Sequence, residues 1–129
     1  MNPRFKFRAW NKEEKQMYYD AENTYDYMTG NPMIFAESFS CLLTNDEWII
    51  EQCTGVKDKN GNLIYEGDIV KCGNATGIVC FGFYRRADEH FPDSIYGYYI
   101  EWKQSDFRQD FGYWATEERI EIIGNIHEQ

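Results

Sequence analysis

Turn residues constrain this chain more than any other feature. Glycine, asparagine and proline cluster at Thr29-Gly30-Asn31-Pro32, Lys59-Asn60-Gly61-Asn62, Gly73-Asn74 and Phe91-Pro92-Asp93. The apolar runs between them are short, and short runs bounded by turns favour strands over helices. Phe5-Lys6-Phe7-Arg8-Ala9-Trp10 alternates, with Phe5, Phe7 and Ala9 on one side and Lys6, Arg8 and Trp10 on the other. That is the period of a half-buried strand. Gln16-Met17-Tyr18-Tyr19 reads as its partner after a turn over Asn11-Lys12-Glu13-Glu14. Residues 20–47 are ambiguous. Phe35, Phe39, Leu42 and Leu43 suit one helix face, while Ser38, Ser40 and Thr44 argue against it. Trp48-Ile49-Ile50 starts a strand.

The second half is a succession of ribbons. Asn60-Gly61 supplies the positive φ of a hairpin turn. Leu63-Ile64-Tyr65 follows, then a turn at Glu66-Gly67-Asp68 and a strand at Ile69-Val70-Lys71-Cys72. Gly77-Ile78-Val79-Cys80-Phe81 is continuously apolar, which predicts a strand covered on both faces. Tyr96, Tyr98, Ile100 and Trp102 share one face of the next strand, and Ile120-Glu121-Ile122-Ile123 is the last, stopped by Gly124-Asn125. Short strands hinged at glycines suit a small closed barrel, because closure removes exposed edges. Gly67-Asp68-Ile69-Val70 resembles the turn into a strand found in Src-homology-3-like barrels. The expected fold is therefore mostly β: an irregular β-rich arm or subdomain over residues 1–50 and a small Src-homology-3-like barrel over residues 51–129.

Composition limits the function classes. The formal charge is −9, which opposes duplex DNA, whose non-specific binders neutralise phosphates with Lys and Arg. Three readings of the acidity stand: solubility, a binder of a basic partner, or an acidic mimic of DNA charge. Aromatic residues make up 18% of the chain and argue against disorder. Nothing resembles a membrane span or a secretory signal, so the cytoplasm is the expected location. Cys41, Cys53, Cys72 and Cys80 include no C-x-x-C pair, which argues against a zinc ribbon. They read as reduced structural thiols.

Three clusters of polar residues invite chemistry. Asp58, Asn60 and Asn62 have the look of a calcium loop, but Leu63 stands where the loop needs glycine and Ile69 where it needs an acid. A hairpin turn is the better reading. Glu66 and Asp68 could act as an acid–base pair, or cap the turn at Gly67. Asp88, Glu89, His90 and Asp93 could hold a divalent cation, or form a solvated loop beside Arg85 and Arg86. Nucleotide-binding and hydrolase motifs are absent from the sequence, so neither a catalytic residue nor a cofactor is assigned.

Three separated segments resemble the YopX family, proteins encoded by phages and prophages. The longest is Thr54-Gly55-Val56-Lys57-Asp58-Lys59-Asn60-Gly61-Asn62-Leu63-Ile64-Tyr65-Glu66-Gly67-Asp68-Ile69-Val70. Lys6-Phe7-Arg8-Ala9-Trp10 matches the family's opening, and Ile122-Ile123-Gly124-Asn125-Ile126-His127-Glu128 its closing, with His127 where the family usually has tyrosine. The resemblance implies a β-rich fold ending in a barrel of the Src-homology-3 type. It carries over no catalytic residue, and its motifs read as structural.

The aromatic excess is more than one small barrel needs, which predicts burial between subunits of a homo-oligomer. A non-enzymatic binding or assembly module, meeting a host or phage protein, is the first functional expectation. A metal-dependent hydrolase of nucleic acid or nucleotides, working through Asp68 or Asp88, is the alternative.

Overall fold

A computed structural model of the chain describes residues 3–22, 39–85, 94–103, 108–110 and 120–128. It is mostly β, as expected, with two antiparallel sheets, a 3-10 turn at Pro3–Phe5 and one short α-helix among the described residues, α1 (Phe39–Thr44). The first sheet runs β2 (Gln16–Tyr19), β1 (Phe7–Asn11), β3 (Trp48–Lys57), β4 (Leu63–Tyr65). The second runs β8 (Arg108–Asp110), β7 (Ser94–Trp102), β6 (Ala75–Arg85), β5 (Asp68–Cys72), β9 (Glu121–Asn125) and curls into a half-barrel. β3 crosses residue 50, pairing β1 along one edge and β4 along the other.

The hairpin turns are built as their residues dictate. Asn11 Oδ1 accepts from the backbone N–H groups of Glu13 and Glu14 at 3.0 and 2.8 Å, closing the β1–β2 turn. Asp58 does the same for the β3–β4 turn, accepting from Asn60 N and Asn62 N at 2.9 Å each, and Gly61 takes the positive φ of 84° there. The other Asp58 oxygen accepts from Ile122 N on β9 at 3.1 Å. The hairpin reading of this segment therefore holds, and its aspartate also ties the turn of one sheet to a strand of the other.

Two apolar clusters hold the sheets. Ile64, Val70, Val79, Ile100, Trp102 and Ile120 pack between β4 and the second sheet, and Ala9, Ala21 and Leu42 pack on the outer face of β1. The helix pattern around Phe39 is realised over one and a half turns only. Leu42 is buried and Leu43 is exposed, so the adjacent leucines do not share a face; Phe35 lies outside the described residues.

Two strands differ from expectation. β1 is buried on both sides from Arg8 to Asn11, not half-buried, because the Arg8–Trp10 face meets the second sheet where solvent was expected. β6 is the converse. Val79 is 1% exposed and Phe81 43%, so the apolar run leaves the core partway along. Its register explains this: Val79 pairs Ile100 inside the core, and Phe81 pairs Tyr98 beyond it.

Candidate functional site

The β1 register sets Arg8 between Tyr19 of β2 and Glu51 of β3. Directly opposed residues in antiparallel strands project side by side from one face. That face meets Asp68, the first residue of β5, which lies opposite Asn125 of β9. Arg8 Nε donates to Glu51 Oε1 at 2.9 Å, Nη1 to Asp68 Oδ1 at 2.7 Å, and Nη2 to the Glu66 carbonyl at 3.1 Å. The guanidinium carbon sits 4.9 Å above the centre of the Tyr65 ring, within range of a cation–π attraction. The Arg8 side chain is 2% exposed, and those of Glu51 and Asp68 are 5% and 3%.

The remaining carboxylate oxygens are also engaged. Asp68 Oδ2 accepts from Tyr65 N at 2.8 Å, and Glu51 Oε2 lies 3.0 Å from His127 Nε2. The imidazole stacks on Trp10, centroids 5.2 Å apart at 16°. His127 is held in turn by Asn125 Oδ1, which accepts from its backbone N–H at 3.0 Å. Ile126 N donates to the Gly67 carbonyl at 2.9 Å. The Arg-bearing, Gly-Asp and Gly-Asn-Ile-His segments that stand far apart in the sequence thus converge on one buried ion cluster joining the two sheets. Gly67 is required at its centre. Its φ is +89°, and a Cβ there would run into the Glu51 carboxylate.

Protonation follows from this burial. Desolvation opposes the charge on Arg8, but the carboxylates of Asp68 and Glu51 outweigh it and hold its pKa above the ordinary value. Burial lifts the Asp68 carboxyl above its usual range, while Arg8 and the Tyr65 N–H pull it back. Glu66 is likewise raised, by burial and then by the Glu51 charge. Burial also raises the phenol of Tyr65, helped by Cys53 and the acids nearby.

Glu66 and Asp68 are placed in different roles. Asp68 sits in the arginine fork, and Glu66 contributes its backbone carbonyl to the same arginine. Asp88, Glu89, His90 and Asp93 lie outside the described residues. No group of three or more His, Cys, Asp or Glu among the described residues is arranged to hold a metal ion. Of the cysteines, Cys53 is fully buried, as a structural thiol should be, and Cys72 and Cys80 are half-buried. No helix among the described residues is long and apolar enough to cross a membrane.

Beside the cluster opens a cleft of about 570 Å³, with Lys6, Arg8, Tyr19, Tyr65, Asp68 and Ile122 in its walls. It lies between the two edge strands of the first sheet, whose Tyr19 and Tyr65 rings meet edge to face at 5.8 Å. Sequence reasoning assigned none of Arg8, Glu51 and His127 a role. The available signal was a charged residue flanked by aromatics in a strand, Phe7-Arg8-Ala9-Trp10.

These features place the chain among known proteins. The model of the YopX protein family matches residues 6–129. A search of curated proteins found no match. The crystal structure of protein EF1440 from Enterococcus faecalis is similar, with a TM-score of 0.53 and 26% identity over 95% of this chain and 93% of that one. The Arg8, Gly67-Asp68 and Gly124-Asn125-Ile126-His127 segments that build the ion cluster all fall inside the matched span, and the chain belongs to the YopX family.

Proposed function

We propose that the protein is a non-enzymatic binding or assembly module that first pairs with a second copy of itself, in the cytoplasm of a bacterial host. The observation that carries this reading is the aromatic ribbon formed by β6 and β7. On one face of the ribbon, Val79, Ile100 and Trp102 are buried, and the same face then continues outward through Phe81, Tyr98 and Tyr96. Phe81 packs edge to face on Tyr96 and Tyr98 at 5.0 and 4.8 Å, yet is 43% exposed, and Tyr96 is 60% exposed. Large exposed aromatics contiguous with a core mark interaction surfaces.

A second copy is the occupant that the charge favours. Two chains of net charge −9 repel over most of their surfaces. The described side chains on this ribbon face carry no charge, so two copies approach there at least cost. The engaged carboxylates support a non-enzymatic reading as well: both oxygens of Asp68 and both of Glu51 already have partners, which leaves neither poised as a general base.

Gel filtration with light scattering tests the proposal. The expected result is a dimer that Phe81→Ser and Tyr96→Ser together convert to a folded monomer. A monomer at all concentrations overturns the assembly reading, and metal-dependent turnover of nucleotide or nucleic acid by the wild-type protein overturns the non-enzymatic one.

A further inference from the structure

The tip of the β3–β4 hairpin carries a reactive pair that neither the ion cluster nor the ribbon face uses. Asn60 is the only asparagine in the chain followed by glycine. A glycine amide nitrogen has no side chain beside it, so it can reach the asparagine Cγ and close a five-membered ring. Both residues are exposed, and among the described residues nothing lies within 4 Å of the place a Cβ would take on Gly61. Every other asparagine precedes a residue whose side chain crowds that nitrogen, or proline, which has no N–H.

Asp58 holds the same turn closed. Gly61 N–H donates to the Asp58 carbonyl at 3.0 Å, and the nitrogen must lose that proton to act as a nucleophile. Asn60 N and Asn62 N both donate to Asp58 Oδ1 at 2.9 Å, and Asp58 N donates to the Asn62 carbonyl at 2.8 Å. These bonds fix the peptides on either side of Asn60 and oppose the rotation that attack requires. Asp58 is buried although the tip is exposed, and its Oδ2 accepts from Ile122 N of β9 at 3.1 Å. The residue that restrains the reactive pair is thus the one that ties the first sheet to the second.

We infer that Asn60 is a self-modification site, at which the Gly61 nitrogen displaces ammonia from the Asn60 side-chain amide whenever the turn held by Asp58 opens. The bond from Gly61 N to Asn60 Cγ forms, the Cγ–Nδ2 bond breaks, and the proton of the attacking nitrogen leaves with the ammonia. Water then opens the cyclic imide, and opening at the former backbone carbonyl leaves isoaspartate. The main chain now runs through Cβ and Cγ of residue 60, is one atom longer, and carries one more negative charge. A lengthened tip cannot keep Asp58 Oδ1 on both amides, so the carboxylate that also holds Ile122 loses its seat. This chemistry is independent of the ribbon face and of self-association.

Incubation of the full chain in mildly alkaline buffer, followed by peptide mapping with fragmentation that separates isoaspartate from aspartate, tests the inference. Asn60 should convert ahead of every other asparagine. It should convert about tenfold or more slowly in the folded protein than in the same chain unfolded by guanidinium. Opening of the turn precedes reaction, and each hydrogen bond that must break first contributes a factor of about two to ten. Asp58→Ala, where circular dichroism shows it folded, should recover most of that loss in rate. The isoaspartate form, separated by its added charge, should exchange the Ile122 amide faster than the unreacted protein. Equal rates in the folded and unfolded chain, earlier conversion at another asparagine, or unchanged Ile122 exchange in the isoaspartate form overturns the inference. If Asp58→Ala does not fold, the folded and unfolded wild-type rates decide alone. Neither readout involves Phe81 or Tyr96, so this proposal and self-association fail separately.

Discussion

Replacing Arg8 by methionine should unfold this protein more readily than most core substitutions. Methionine retains much of the aliphatic length, so the cavity term is small and the loss is electrostatic. Three donated hydrogen bonds disappear, and the carboxylates of Glu51 and Asp68, 4% and 2% exposed as residues, are left without their cation. Removing one partner of a buried ion pair costs roughly 3–5 kcal/mol, because the remaining charge stays desolvated. Against a typical domain stability of about 5–15 kcal/mol, that is a large fraction. Urea unfolding followed by tryptophan fluorescence reads it directly. With an m-value of about 2 kcal/mol per molar, the midpoint should fall by roughly 2 M with the slope unchanged. The deficit should narrow as pH is lowered from 7 toward 4, because the Asp68 carboxyl, raised by burial and held down by Arg8 in the wild type, then takes up a proton more readily. A midpoint within about 0.3 M of wild type, or a deficit independent of pH, refutes the reasoning.

Three further substitutions probe neighbouring parts of the same construction. Gly67→Ala forces a side chain into a φ of +89° and against the Glu51 carboxylate, and should cost about 2 kcal/mol or more, measured by the same urea titration. Glu66→Gln should raise the melting temperature at pH 7. The Glu66 pKa is raised by burial and by Glu51, so its folded value exceeds its unfolded one and its ionised form opposes folding; the gain should shrink as pH falls through the raised folded value and be gone below the ordinary carboxyl range. Asp58→Ala removes the acceptor of three backbone N–H groups. It should cost about 2 kcal/mol and speed hydrogen exchange at the Ile122 amide, which an amide-resolved exchange experiment would show.

Much of the fold was legible because its signals are local. Asn60-Gly61 announces a hairpin through the φ that glycine permits, and Asp58 completes it within four residues. The alternation of Tyr96, Tyr98, Ile100 and Trp102 assigned their shared face correctly, as the pairing of Ile100 with Val79 shows. The ion cluster was not legible, because its contacts span 43, 60 and 76 residues. Lys6 and Arg8 lie on one face of the same segment, and nothing in a period of two distinguishes the half-exposed lysine from the buried arginine. That difference is set by where the second sheet crosses β1. The continuous apolar run Gly77–Phe81 misled for a related reason. Hydrophobicity reports what can be buried, but the length of the facing strands decides where the core ends.

The claim beneath all of this is that Arg8 is locked between two carboxylates, one from each sheet. NMR of the arginine side chains at neutral pH tests it most directly. The account predicts distinct, slowly exchanging guanidinium N–H resonances for Arg8, with cross-relaxation to protons of both Glu51 and Asp68. A single averaged signal that exchanges freely with water would contradict it.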